Sequence, residues 1–279
     1  MSGNGSAIPW PSFQGDATLV GTSPSGRVTV YYDVTLGDPA QQNAQDLLSD
    51  ADRVVQWNDH LFGTNTGSVN VVVFALGGAT DGTGGADHMG CDYVIGNNIE
   101  VCSSFGNSAR VSGLFEAELS ECNMSGNLCG VSTGEALSRW CAASVSNNAL
   151  SDFATAPTWF GSNAPDFVSQ TDPTDQNPVS TGCGMAFISW LLSQSIGLNT
   201  IAQNLVSLGA NGTFGQLYGN LTNNDPGTAY LTFLGAIQGL TNGVTSDDPF
   251  GGAAPVQMAL SAIGRRSRRL LPPGKQQAR

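Results

Sequence analysis

The chain has 279 residues, 40% hydrophobic and 11% charged, with 36 glycines. That composition excludes a disordered protein and supports a sizeable core. Six of the ten basic residues fall in residues 265–279, leaving four arginines, no lysine and all 22 acids in residues 1–264. So acidic a body repels nucleic acid and anionic membrane, and no apolar run reaches the roughly 18 residues needed to span a bilayer.

Residues 1–25, rich in Pro, Gly and Ser, read as an irregular N-terminal segment. They lack the basic and apolar regions of a signal peptide, and we expect the end left after such a signal is removed. "RVTVYYDVTL" is β-branched and aromatic and predicts a strand. "DPAQQNAQDLLSDADRVVQWNDHLFG" opens on Asp-Pro and keeps helical spacing, predicting a helix that ends at His60, where that side chain meets the helix dipole. "SVNVVVFAL" is a continuous apolar run of strand length, hence a strand covered on both faces.

"GGATDGTGGADHMG" predicts a loop, and "CDYVIGNNIEVCSSF" a hairpin turning at Gly96–Asn97–Asn98. "NSARVSGLFEAELSECNM" predicts a helix capped by Asn107 or Ser108, and "STGEALSRWCAASVS" a second, capped by Ser132 or Thr133. Beyond a turn-rich loop at 161–180 the chain is mostly helical: "STGCGMAFISWLLSQS", "LNTIAQNLVSLG", "TFGQLYGNLT" and "TAYLTFLGAIQGL". This order predicts one α+β domain over residues 26–264 with a cleft between its halves. A sheet lobe covers about 26–130 and a helical lobe about 131–264, and 265–279 form a basic flexible tail.

The six cysteines sit in separations that suit the bridges Cys91–Cys102, Cys122–Cys129 and Cys141–Cys183. With the lysine-free body they point to an extracellular or periplasmic protein; buried reduced thiols are the alternative.

Carboxylates are scarce in this chain, yet Glu116, Glu118, Glu121 and Glu135 crowd into residues 114–140. Helical spacing aligns Leu114, Ala117, Glu118 and Glu121 on one face and turns Glu116 away. Facing Glu135, the pair makes a three-carboxylate set whose members raise one another's pKa unless a cation compensates. That cation is an internal arginine, Arg110 or Arg139, the latter four residues from Glu135, or a hard ion such as Ca²⁺ or Mg²⁺ held by oxygen donors.

The element order and these two helices resemble the zincin metallopeptidases, in particular the gluzincin-like branch and the basic secretory proteins. In register, HExxH falls on "AELSE", residues 117–121, and the third-ligand segment on "TGEALSRW". The resemblance implies a zincin-like fold, mixed sheet with two core helices followed by a helical C-terminal lobe, over roughly residues 27–222. It also places Glu118 at the general base, Glu135 at a ligand position, and His88 on the edge segment that borders the cleft. Ala117 and Glu121 replace the ligand histidines, so zinc and an ordinary zinc peptidase are not expected. Two readings follow. In one, the peptidase site is lost and the carboxylate-lined cleft serves binding or structure. In the other, a hydrolase or lyase uses Glu118 as general acid/base with Glu121, Glu135 and Arg139. The ligand is a small molecule, peptide or glycan.

No G-x-S-x-G, phosphate loop or dinucleotide fingerprint is present. Asp172, Asp175 and Asn177 precede a helix and suit capping better than calcium. Trp140 and Trp190 fall at core positions, whereas Trp159 and Phe160, beside prolines and glycine, predict an exposed binding lip.

Overall fold

The structure, a computed structural model, describes residues 8–65, 67–90, 97–124, 128–146 and 154–251. Its α+β architecture is a five-stranded mixed sheet with an N-terminal helix, followed by a mostly helical C-terminal part. The strands are β1 (Ala17–Thr22), β2 (Val28–Asp33), β3 (Val69–Phe74), β4 (Ala86–His88) and β5 (Asn98–Cys102), in the order β1-β2-β3-β5-β4. The central strands β2, β3 and β5 run parallel, while β1 and β4 close the two edges antiparallel. The helices are α1 (Asp38–Phe62), α2 (Ser108–Met124), α3 (Ser132–Val145), α4 (Ala156–Gly161), α5 (Pro178–Ser193), α6 (Leu198–Leu208), α7 (Phe214–Thr222) and α8 (Ala229–Gln238).

Strand pleating sorts the sheet into two faces. In register, Val28, Val30, Val69, Val71, Val73, Ile99 and Val101 are buried in a single apolar core that they share with α1, α2, α3 and α5. The other face is covered by the lead-in segment. Phe13 packs on Phe74 with ring centroids 4.9 Å apart. The fully buried Glu100 carboxylate accepts from Ser12 N (2.8 Å), Ser12 Oγ (2.6 Å) and Phe13 N (2.6 Å). The continuous run of β3 is buried on both sides as its composition predicts.

Two segments differ from the sequence expectation. Residues 1–25 are not wholly irregular: β1 lies within them, with no buried position and a register shift between Leu19 and Gly21, so no apolar alternation marks it. The loop predicted before the hairpin contains β4, three residues long, which exists by pairing rather than by propensity. The antiparallel partner of β5 is therefore residues 86–88. Most of the predicted hairpin, residues 91–96, lies outside the described residues.

Four of the cysteines, Cys102, Cys122, Cys141 and Cys183, are buried thiols. All three expected bridges are thereby overturned, since each needs one of these four; Cys91 itself lies outside the described residues. Packing accounts for the difference. Cys102 Sγ is turned to the carbonyls of Leu76 (3.5 Å) and Ala79 (3.2 Å), and Cys141 and Cys183 sit in the apolar core, where burial pushes both thiols upward in pKa. Cys129 is disulfide-bonded, with its partner outside the described residues.

No described helix is long and apolar enough to cross a membrane.

Candidate functional site

One cavity of about 610 Å³ opens between the edge strand β4 and the helices α2 and α3. Its walls answer to local sequence. The face of α2 that meets it carries Leu114, Ala117, Glu118 and Glu121, the set that helical spacing selects. Helix α2 starts where Asn107 Oδ1 accepts from Arg110 N (3.3 Å), one of the two predicted caps. For α3 neither predicted cap acts: the N-cap is Val131 without a side-chain bond, and Ser132 instead accepts from Asp172 N at 3.0 Å.

Two glycines set the spacing of the walls. A methyl at position 134 would sit 2.1 Å from the Leu128 carbonyl oxygen, so Gly134 lets the segment bearing Cys129 lie against the first turn of α3. A methyl at position 84 would meet Cys102 Sγ at 2.3 Å and the Leu76 carbonyl oxygen at 2.8 Å, so Gly84 lets the approach to β4 cross the end of β5. Asp87 and His88 of β4, with Asp175 from the loop before α5, complete the polar lining.

The four clustered glutamates have four different surroundings. Glu116 points away from the cavity, as expected, and is completely buried. One of its oxygens accepts from Asn58 Nδ2 (2.9 Å) and the other has no partner, and burial raises its pKa well above the carboxylate range. Glu121 Oε2 lies 3.1 Å from His88 Nε2. His88 Nδ1 lies 2.5 Å from the Gly90 carbonyl oxygen, which can only accept, so Nδ1 carries a proton. Burial works against charge on His88, but the hydrogen bond and charge of Glu121 outweigh it and raise the imidazole's pKa.

Glu135 Oε1 accepts from Arg139 Nε at 2.6 Å, the internal arginine pair expected from their spacing. Burial raises the Glu135 pKa and the guanidinium offsets part of that rise. Glu118 has no hydrogen-bond partner among the described residues; His88 Nε2 stands 3.8 Å from its Oε2. Its side chain is 13% exposed. Burial first, then the charges of Glu121 and Glu135, raise its pKa well above the usual range. A carboxyl in that setting holds a proton where most carboxyls have lost theirs.

The site therefore brings together five of the seven residues singled out in the sequence: His88, Glu118, Glu121, Glu135 and Arg139. It does not include Trp159 or Phe160. Trp159 is no exposed lip: it is completely buried, stacks on Phe233 at 5.4 Å and donates to the Pro165 carbonyl at 2.9 Å. Phe160 is exposed on α4 but does not line the cavity. A proline at the start of α4 makes "APTWFG" a helical turn whose tryptophan faces the core, which overrides the loop-like composition. Arg110 was a candidate counter-cation, but its Nη2 donates to the Gly84 carbonyl (2.7 Å), which ties α2 to the loop before β4. Asn177 caps α5, accepting from Val179 N (3.0 Å), and donates to Asp172 (2.7 Å), as capping predicts. Sequence reasoning missed Asp87 as a cleft residue, and Cys129, whose Sγ lies 3.7 Å from His88 Nε2. Only the pairing of β4 reveals either.

No family model matches the sequence, and no curated protein matches it either.

Proposed function

We propose that this chain is a zincin-like protein without the zinc-peptidase site, and that its cleft is an acid–base hydrolase site in which Glu118 gives and takes the proton. The observation that carries this reading is the state of Glu118: a carboxyl on a cavity wall, among other carboxylates, with no arginine or amide to neutralise it. Structural carboxylates are normally partnered when buried, whereas catalytic sites hold a group in an unfavourable setting.

The zinc ion that a zincin-like fold implies does not fit the residues in the positions that would hold it. Ala117 offers no donor atom, Glu121 faces His88, and Glu135 is taken up by Arg139. No step of the reaction is therefore routed through a metal in that position. Glu121 and Glu135 already face His88 and Arg139, so an oxygen-only set for Ca²⁺ or Mg²⁺ requires those two pairings to open.

The chemistry then rests on the side chains. Glu118, whose carboxyl burial and then Glu121 and Glu135 hold well above the usual carboxylate range, donates to a leaving group at the moment its bond breaks. The Glu121–His88 pair, on the same side of the cavity, orients a water and accepts its proton. Arg139, held by Glu135, presents the fixed positive charge that orients a substrate carbonyl or hydroxyl. Asp87 and Asp175 make the rim acidic, which favours a neutral or cationic peptide or glycan over an anionic one.

The test is a panel of chromogenic peptide, ester and glycoside substrates against wild type and Glu118→Gln. Activity on at least one class, reduced on the order of 10²–10⁴-fold by the substitution with the fold intact, is the expected result. Turnover that survives Glu118→Gln, or a Glu118→Gln protein that loses stability without any activity to lose, overturns the proposal. The second outcome returns the cleft to a purely structural or binding role, which the Arg139–Glu135 pair by itself favours.

A further inference from the structure

The rim of the cleft holds a second arrangement, which shares His88 and Glu121 with the acid–base reading and adds Cys129, a residue that reading does not use. His88 from β4, Glu121 from α2 and Cys129 from the segment before α3 bring a nitrogen, an oxygen and a sulfur to one point, all within 4.8 Å of one another. Glu121 Oε2 is 3.1 Å and Cys129 Sγ 3.7 Å from His88 Nε2. A tetrahedral zinc with bonds of about 2.0 Å to nitrogen and oxygen and 2.3 Å to sulfur has ligand-to-ligand edges of about 3.3–3.6 Å. The three donor atoms therefore already stand close to the corners of such a site.

Two further features fit a metal ligand better than a simple ion pair. His88 gives its Nδ1 proton to the Gly90 carbonyl (2.5 Å), which leaves Nε2 as the coordinating atom and fixes the ring, the usual outer support of a metal-bound histidine. Glu121 is buried, 7% exposed, and turns to β4, where its Oε2 meets His88. What blocks coordination is the state of the sulfur: Cys129 is disulfide-bonded and so offers no thiolate.

We propose that His88, Glu121 and Cys129 form a site for a borderline divalent cation such as Zn²⁺, closed while the Cys129 bridge is intact and opened when the bridge is reduced. The reductant is a dithiol. Its two sulfurs become a disulfide and give up two electrons and two protons, and the bridge takes up both to leave two thiols. As the cation binds, the Cys129 thiol loses its proton and the proton shared between His88 Nε2 and Glu121 Oε2 leaves as well, both to solvent, and the cation takes the place of the His88–Glu121 contact. Three protein ligands leave the fourth position facing the cavity, so the metal-bound state has a coordination site open to the cleft. The set differs from the zincin arrangement, because its nitrogen comes from the edge strand and its sulfur from the loop after α2. It does not rest on the acid–base reading.

The experiment uses the full chain and Zn²⁺ or Co²⁺ alone. Wild type, oxidised or treated with a trialkylphosphine and desalted without oxygen, is titrated with each metal. Reduced protein is expected to bind stoichiometric Zn²⁺ and, with Co²⁺, to show a thiolate-to-cobalt charge-transfer band that oxidised protein lacks. His88→Ala and Glu121→Gln are each expected to weaken binding at least about tenfold, and Cys129→Ser to abolish the band. Cys129→His cannot form the bridge and supplies a nitrogen in its place, so it is expected to bind without reduction even if reduced wild type loses its fold. Equal binding by oxidised and reduced wild type overturns the gating. A band that survives in Cys129→Ser, or a Cys129→His protein that binds no metal while folded, overturns the site.

Discussion

Glu118→Gln separates a poised carboxyl from a structural one through stability alone, before any substrate is known. The folded chain raises the Glu118 pKa, chiefly by burial and then by Glu121 and Glu135. A group whose folded pKa lies above its unfolded value contributes stability below the unfolded value, about 4.3 for glutamate, and loses it as pH rises through the folded pKa. Above the folded pKa, wild type carries the penalty of an ionised, buried Glu118 without a hydrogen bond among the described residues, and glutamine, nearly the same shape without charge, does not. Each tenfold difference in proton affinity between folded and unfolded chain is worth about 1.4 kcal/mol. In a chain of this size 1 kcal/mol moves the melting temperature by about 2–4 °C. Glu118→Gln is therefore expected to melt higher than wild type by at least a few degrees near pH 8, with the gap narrowing as pH falls toward the unfolded carboxyl range. Scanning calorimetry at intervals from about pH 8 to pH 5 reads both the sign and the slope, and stays above the sequence pI of 4.2. A variant that melts lower than wild type by the same amount at every pH refutes the reasoning, because that is the signature of a lost hydrogen bond.

Arg139→Ala leaves the Glu135 carboxylate buried without its guanidinium; a loss of about 1–3 kcal/mol is expected, partly recovered by Arg139→Lys, and denaturant titration checks it. Glu116→Gln keeps an acceptor for Asn58 Nδ2 and removes a charge the core disfavours, so its unfolding midpoint at neutral pH is expected to equal or exceed that of wild type, whereas Glu116→Ala, which strands Asn58, is expected to lower it. Peptide mapping without reduction is expected to find Cys129 joined to Cys91, the one cysteine left once four are thiols, and thiol titration of the unfolded, unreduced chain to count four; six thiols sink the bridge and the redox gate with it. Oxidised protein is expected to contain no stoichiometric zinc by elemental analysis, and a zinc that co-purifies with the intact bridge contradicts the closed state.

How much of this was legible in the sequence depends on how local each cause is. Helical spacing alone placed Leu114, Ala117, Glu118 and Glu121 on one face and paired Glu135 with Arg139, because residues three or four apart on a helix meet wherever the helix packs. The run of β3 announced its burial because every residue in it but Asn70 is apolar. By contrast β4 has three residues and no pattern of its own, and it becomes a strand only because β5 offers it a ladder. Of what β4 positions, the resemblance anticipated His88 at the cleft edge, but Asp87 on the cleft wall and Cys129 beside His88 stayed hidden. Cysteine pairing failed for the same reason, since sequence separation says nothing about which sulfurs the core will bury apart. Trp159 shows the opposite error. Its neighbours Pro157 and Gly161 look like loop, yet a proline at the start of a helix fits its first turn, and the ring turns inward onto Phe233.

A chain this sparing with charge resolves its crowded glutamates one at a time, and the differences carry the functional argument. Glu116 and Glu118 are both lifted by burial, but Glu116 has Asn58 as a donor on a side closed to the cavity, so its raised pKa is a by-product of packing. Glu135 is neutralised within its own helix by Arg139, and Glu121 across the sheet edge by His88. Those two pairs would suffice to make the cleft inert if Glu118 were an alanine, as position 117 is. Keeping a carboxyl there costs stability at neutral pH, because the burial is offset by no hydrogen bond among the described residues and only by the His88 ring, 3.8 Å away and already paired with Glu121. The same balance explains why the His88–Glu121 pair sits beside a bridged rather than a reduced Cys129. With the sulfur tied up, His88 Nε2 faces Glu121 at 3.1 Å and Glu118 at 3.8 Å; a metal would draw His88, Glu121 and Cys129 into one shell. The bridge thus decides whether Glu118 works among side chains or beside a cation, and the melting difference between wild type and Glu118→Gln should shrink when reduced protein is loaded with Zn²⁺, because the added charge then stabilises the ionised carboxylate.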